Sequence, residues 1–509
     1  MLLRLIRGLI RREPAAPDGE ADPLATALER GRSLYERGEL DAALKVYADC
    51  ARAHPREVGP HIRAGNVLRE LWRVEEGVRE HAKALELAPG GSAVIHSSVL
   101  FSSHYLAAPD PQRLFESHRQ YGRLLAAGLA GDPPPQRGVT PDPDRRIRVG
   151  YVSPNFSRHS VGYFIEPVIA QHDRARFEVY CYSNLPTPDD TTARIRSCAH
   201  AWRDVHGIDD DALAQSVAAD RIDVLVDLAG HTAGNRLPVF ARRAAPVQMT
   251  WLGYPDTTGL AAIDYRITDD IADPAPRADA RCTERLLRLP GLFLCYQPPH
   301  DAPAVSDRGG DSGPAVFCSF NVLDKVNEPL IGMWADILRA VPGSRLLVKS
   351  RLLKREEVVR RVADCFGARG IEAARIELHG WSEDRADHLN LYARADVALD
   401  TYPYNGTTTT CEALWMGVPV VTLAGELHMS RVGAALLEAV GLPDLVAASP
   451  ESYVRTAVEL ARNGERRRAL RAELRDRLVQ SPLLDHAGFT RKLEAAIERA
   501  WLAWCSARR

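Results

Sequence analysis

Short runs rich in β-branched and aromatic residues, each followed by a helical stretch, recur along most of this chain and restrict it to a layered α/β architecture. Ile147–Val152, Phe177–Tyr182, Val224–Leu228 and Val247–Leu252 read as a first series of parallel strands, apolar on both faces and therefore buried. The polar, Gly/Pro-rich stretch Pro299–Pro314 interrupts the pattern. A second series follows: Ala315–Phe320, Arg345–Val348, Arg375–Leu378, Val397–Leu399 and Val418–Leu423. Two Rossmann-like lobes are expected, residues 145–300 and 315–482, joined by a linker at 301–314. Residues 483–509 are expected to form a helix packing back on this core. In open α/β sheets ligands bind beyond the carboxyl ends of the strands, so two facing lobes place a site in the cleft between them.

With 509 residues the chain exceeds one hydrophobic core, and its N-terminal part has a different pattern. Gly31 and Gly65 lie 34 residues apart, as do Pro55 and Pro89, the period of tetratricopeptide helix pairs. In the first unit Gly31, Gly38, Ala43, Tyr47 and Pro55 supply small residues for close helix approach, an aromatic to pack and a proline to stop. In the second, Gly65, Ala84 and Pro89 keep the register, while Gly77 and His81 stand where alanine and an aromatic are expected. Residues 24–131 are therefore read as tetratricopeptide-like helices, the last part being an atypical third unit and cap. The proline-rich segment 132–144 is a linker. Residues 1–23 form a tail whose arginine-broken apolar pattern reads as a short basic amphipathic helix rather than a signal peptide.

The 65 basic and 67 acidic residues nearly cancel, so nothing points to nucleic acid as a partner. The nine cysteines show no zinc spacing and suit a reducing cytoplasm. No stretch approaches the roughly 20 apolar residues of a transmembrane helix.

The most informative segment for chemistry runs Asp396 to Gly417, in the order strand, turn, helix. Asn405 and Gly406 make a tight turn, and Thr407, Thr408, Thr409 and Thr410 open a helix with free amides and hydroxyls. Such a helix end holds a pyrophosphate through amides and dipole without requiring a metal. A plain N-cap needs one threonine rather than four. Glu412, one turn further, could accept from ribose hydroxyls or simply be solvated. Lys325 follows the first strand of the second lobe, where a cation could stabilise a departing nucleotide diphosphate. His159 follows the opening strand of the first lobe and precedes a helix, as catalytic base, substrate positioner or structural cap. His231 and Thr232, after Val224–Leu228, and Tyr254 and Pro255, after Val247–Leu252, are candidates for an acceptor or sugar loop. The run Asp209–Asp211 reads as a helix N-terminal cluster, not a metal site. No P-loop and no hydrolase nucleophile elbow is present.

Together the segments Val149–Pro154, His159–Phe164, Ala245–Gly259, Asp264–Asp269 and Tyr402–Glu412 resemble the family containing protein O-GlcNAc transferase and the plant SPINDLY protein O-fucosyltransferase. The resemblance covers about residues 145–509. It implies a GT-B fold and an inverting transfer of one sugar, with no metal or other cofactor, from UDP-GlcNAc or GDP-fucose to Ser/Thr hydroxyls of an acceptor protein. By motif, His159 matches the active-site histidine and Lys325 the lysine on the donor phosphates. Thr408 and Thr409 match the pyrophosphate threonines, and Glu412 an acidic ribose contact. Arg385 and His388 match side chains against the base. Thr407 stands where animal members have histidine, as in the SPINDLY branch, which leaves both donors open. The large domain between the lobes of the animal enzymes is absent, and the repeats are few. A transferase acting on a small molecule, a lipid or another side chain, and a non-catalytic scaffold, are the rival readings.

Overall fold

The computed structural model describes residues 22–88, 92–129, 138–306, 313–381 and 384–508. The basic N-terminal segment, Pro89, residues 132–137 of the first linker and 307–312 of the second lie outside the described residues.

Six helices come first, Pro23–Glu36, Leu40–Ala53, Val58–Glu70, Val74–Leu87, Ala93–Ser103 and Pro111–Gly128, packed as three successive hairpins. The 34-residue register has a steric basis. A Cβ on Gly31 would lie 2.4 Å from the Tyr47 ring, and one on Gly65 would lie 2.4 Å from the His81 ring. The two glycine–ring pairs occupy equivalent positions, so His81 takes the aromatic role, and burial pushes its pKa down to about 4. Gly77 is needed for the same crossing, because a Cβ there would come within 2.9 Å of the Gly65 carbonyl oxygen.

The first lobe is an all-parallel seven-stranded sheet in the order β3-β2-β1-β4-β5-β6-β7. Its strands are β1 Ile147–Ser153, β2 Phe177–Ser183, β3 Ala201–Asp204, β4 Val224–Asp227, β5 Val247–Thr250, β6 Tyr265–Thr268 and β7 Arg285–Arg288. The second is an all-parallel six-stranded sheet, β10-β9-β8-β11-β12-β13. Its strands are β8 Val316–Ser319, β9 Arg345–Lys349, β10 Ile376–His379, β11 Val397–Leu399, β12 Val420–Leu423 and β13 Val446–Ala447. Renumbered from its own first strand, each lobe carries the order 3-2-1-4-5-6, so the strand order reverses between β1 and β4 in one and between β8 and β11 in the other. This is the expected pair of Rossmann-like lobes. The four strands that periodicity did not reveal are β3, β6, β7 and β13. β3 and β7 are partly exposed edges with charged ends, β6 carries a buried Arg266, and β13 is two residues long.

The last helix, His486–Ser506, returns to the first lobe. Phe489, Leu493, Ile497 and Trp501 are buried in one cluster with Ile147, Phe164 and Val247, each worth roughly 1.5–3 kcal/mol of apolar burial. Glu494 ties its flank to His172 Nδ1 at 2.9 Å. The helical hairpins contact both lobes. Trp72 Nε1 donates to the Leu323 and Val326 carbonyls at 2.9 Å, Arg69 pairs with Asp324 at 3.1 Å, and Gly122 packs directly on the backbone of Gly259. No described helix is long and apolar enough to cross a membrane.

Candidate active site

The second lobe builds a turn around Asp400, the first residue after β11. Its buried carboxylate accepts from the amides of Thr401 (2.8 Å) and Gly406 (2.7 Å) and from Thr422 Oγ1 (2.7 Å). Asn405 Nδ2 donates to the Thr401 carbonyl at 2.8 Å, closing the turn from within. Gly406 is required by close approach: a Cβ there would lie 2.5 Å from Thr409 Oγ1 and 2.9 Å from Asn321 Oδ1. The chain then enters the helix Thr408–Trp415, whose preceding residue Thr407 makes no side-chain cap. Among the described residues no acceptor faces the amides of Thr408 and Thr409, and Thr408 Oγ1 is buried without a partner. Thr409 Oγ1 donates to Asn321 Oδ1 at 2.8 Å, which joins this turn to the loop after β8. The result is a helix end with unmatched donors, an anion site by physical chemistry.

Lys325 closes the same loop. Its Nζ donates to the Asn405 carbonyl at 2.8 Å and lies 3.9 Å from the centre of the Tyr404 ring. Surrounding protein lowers its pKa, while the nearby Asp400 works in the opposite direction. Tyr404 in turn stacks on Tyr105 of the helical hairpins at 5.5 Å, and the Trp72 indole holds the two carbonyls that bracket Lys325. The cation is therefore positioned partly by the N-terminal helices.

On the other side of the turn, Glu412 is buried and meets His388 Nε2 at 3.1 Å and Arg385 at 3.6 Å. His388 Nδ1 faces the ammonium of buried Lys349 at 3.0 Å. An ammonium only donates, so Nδ1 accepts and the His388 proton resides on Nε2, directed at Glu412. The Arg385 guanidinium lies 4.1 Å from the Tyr163 ring of the first lobe, and its Nη2 makes no hydrogen bond among the described residues. Charged and polar side chains of both lobes thus meet beside the open helix end.

His159, half-buried, caps the helix Ser160–Gln171 by accepting the Val161 amide at Nδ1, 3.2 Å away. Burial pushes its pKa down to about 4. The imidazole is neutral near pH 7, and because Nδ1 is an acceptor its proton sits on Nε2. The ring consequently presents a donor.

The proposed acceptor loop is placed differently from the sequence expectation. His231 is buried beneath the helical hairpins, with Nδ1 on Ser97 Oγ at 2.8 Å and Nε2 on the Thr258 carbonyl at 2.9 Å, so neither nitrogen remains for a substrate. Tyr254 is buried beside it and hydrogen-bonds His118 Nε2 at 2.8 Å. Pro255 is buried as well, and Thr232 Oγ1 donates to its own loop at Ala229 O, 2.7 Å. Helical packing over this loop uses the groups that its sequence offered. Asp209 caps its helix by accepting the Ala212 amide at 2.7 Å, while Asp210 and Asp211 pair with Arg236 and Arg242. The site residues not singled out from sequence are Asn321, Lys349 and Asp400. Each is a polar residue at or just past the end of a buried strand, and that position was the available signal. Among the described residues, the three side chains grouped as metal ligands could be, His104, His118 and Asp256, lie at the helical interface.

The model of glycosyl transferase family 41 matches residues 136–299 and 306–493. The SPINDLY protein of Petunia hybrida is 41% identical over 415 residues, covering 80% of this chain and 44% of that protein. The UDP-N-acetylglucosamine–peptide N-acetylglucosaminyltransferase of Caenorhabditis elegans is 26% identical over 475 residues, 70% of this chain and 41% of its own. The chain thus spans less than half the length of these curated relatives. A solved mutant of the Thermobaculum terrenum O-GlcNAc transferase superposes with a TM-score of 0.88 and 38% identity, covering 100% of this chain and 94% of that one. With a family model spanning both lobes, this chain belongs to glycosyl transferase family 41.

Proposed function

We propose that the protein transfers a single sugar from a nucleotide donor, UDP-GlcNAc or GDP-fucose, to a serine or threonine hydroxyl of an acceptor protein, with inversion at the anomeric carbon and without a metal on the donor. The observation that carries this reading is the placement of Lys325 against the turn whose following amides at Thr408 and Thr409 are open. These groups supply the positive potential that a leaving diphosphate needs. Arg385, His388 and Glu412, with Lys349 behind them, form the side of the site assigned to ribose and base. The names of the relatives point to a peptide acceptor.

In the proposed step the hydroxyl attacks the sugar C1 in line as the bond from C1 to the diphosphate oxygen breaks, the electron pair leaving with the diphosphate. The hydroxyl proton passes to a phosphate oxygen or to water. His159, with Nδ1 occupied by the Val161 amide, contributes its Nε2 proton as a hydrogen-bond donor that orients substrate. Acting as base through Nε2 would require the ring to exchange tautomers and give up its helix cap. We place the reaction in the cytoplasm, where buried thiols such as Cys181 and Cys318 stay reduced.

Calorimetry with UDP and with GDP, followed by turnover of UDP-GlcNAc and GDP-fucose on peptide and small-molecule acceptors, tests the proposal. Binding of one nucleotide and glycosylated peptide in the product mass spectrum are expected. Failure of a folded protein to bind either nucleotide refutes it.

A further inference from the structure

Behind Tyr404, the third helical hairpin and the loop after β5 bring His104, His118 and Asp256 together. Their ligand atoms lie within 4.8 Å of one another, and the two histidines are buried, 1% and 0% exposed. Each imidazole directs Nδ1 at a main-chain carbonyl one helical turn back, Leu100 O at 2.9 Å for His104 and Leu114 O at 2.7 Å for His118. A carbonyl only accepts, so Nδ1 carries a proton in both rings, and in the neutral form each Nε2 presents a lone pair. This Nδ1–H to carbonyl bond is the outer contact that orients metal-ligating histidines. His118 Nε2 can take the proton of the Tyr254 hydroxyl at 2.8 Å. In the neutral ring His104 Nε2 faces a second acceptor, Asp256 Oδ2, at 3.1 Å. That contact is satisfied in one of two ways, by a second proton on the His104 ring, which pairs it with the carboxylate, or by a metal ion shared with His118.

We propose that His104 Nε2, His118 Nε2 and Asp256 Oδ2 bind a divalent transition metal, zinc by its donor set of two imidazoles and a carboxylate. Bonds of about 2.0–2.1 Å in a tetrahedron separate neighbouring ligand atoms by about 3.3 Å. The 3.1 Å between His104 Nε2 and Asp256 Oδ2 matches that edge. The remaining ligand atom has to draw in by at most about 1.5 Å to complete the face, and the Tyr254 oxygen beside His118 is the nearest further ligand. The ion's role is structural. It joins the helical hairpins to the first lobe, and the Tyr404 ring, 6.4 Å from His104, stands between it and Lys325. Because the ligands come from two packed units, binding of the ion stabilises their assembly.

The full chain is dialysed against chelator, then against micromolar zinc chloride, and its metal content and melting temperature are measured. About one equivalent of zinc and a rise of roughly 2 °C or more are expected. Cobalt chloride added to chelator-treated protein should give the visible bands of a tetrahedral site, and this readout needs no variant. H104A and D256N should lose the zinc equivalent and the zinc-dependent rise while keeping nucleotide binding in the second lobe. A folded wild-type protein that retains no zinc, gives no cobalt bands and melts at the same temperature with and without metal overturns the proposal. It would assign the gap between His104 and Asp256 to a proton. Variants that lose nothing when the wild type does bind zinc overturn the ligand assignment.

Discussion

The two lobes have the same strand order but differ at its carboxyl edge. In the second lobe the loops after β8 and β11 carry Asn321, Lys325 and the Asp400–Thr410 turn, and donors there remain unmatched. In the first lobe the loops after β1 and β4 both bear histidine, yet the helical hairpins cover only the second of them. His159 keeps Nε2 unassigned, whereas His231 has both nitrogens engaged. A topological switch point is therefore where a ligand can bind, and what packs over it decides whether one does.

Four perturbations test this contrast. The largest effect is expected from Lys325→Ala, which removes the cation at the open edge. Turnover should fall about 100–1,000-fold with the fold retained by circular dichroism, and near-normal turnover would remove Lys325 from the mechanism. Gly406→Ala comes next, because the new Cβ meets Thr409 Oγ1 at 2.5 Å. Overpacking of about 1–3 kcal/mol should weaken UDP or GDP binding by about 10–100-fold, read by calorimetry. Unchanged affinity would show that the turn does not hold the phosphates.

His159→Asn, which can still cap its helix, should lower turnover about 10-fold, the amide supplying a weaker donor. The wild-type pH profile gives an independent check. With a pKa of about 4 the ring stays neutral above that value and protonates as pH falls through it. Protonation at Nδ1 displaces the Val161 amide and frees the ring from its cap, so rates that depend on its orientation should be flat from neutral pH to about 5 and decline below about 4. A limb near 6.5 would contradict the buried, neutral ring. The smallest effect on turnover is expected from His231→Ala, within about twofold. Its cost is stability, about 2–4 kcal/mol by denaturant unfolding, since a cavity and two unmatched partners remain. A collapse of turnover with unchanged stability would return His231 to the active site.

Much of the second lobe's site was legible in one segment. Asn405 through Glu412 are contiguous, so local geometry alone assembles a turn, a helix end and an acidic side chain. The 34-residue period was legible because the first two hairpins repeat the same glycine–ring contact, Gly31 with Tyr47 and Gly65 with His81. Lys349 could not be recognised locally, since its relation to His388 and Glu412 depends on β9 lying beside β8 in the sheet. Tyr254 and His231 were misplaced for the complementary reason. Their loops have the composition of a ligand loop, and the partners that engage them, Ser97 and His118, lie more than 100 residues away.

By itself, then, the sequence determined the alternation that makes two parallel sheets, the period that makes helical hairpins, and the threonine turn that exposes amides. Each is carried by a pattern that is complete within a few tens of residues of the chain. Only tertiary structure decided which carboxyl-end loops stay open, which histidine keeps a nitrogen available, and how Trp72 and Tyr105 come to support Lys325. These outcomes depend on how separately patterned units pack, and burial against a distant partner removes hydrogen-bonding groups that local sequence cannot show to be engaged.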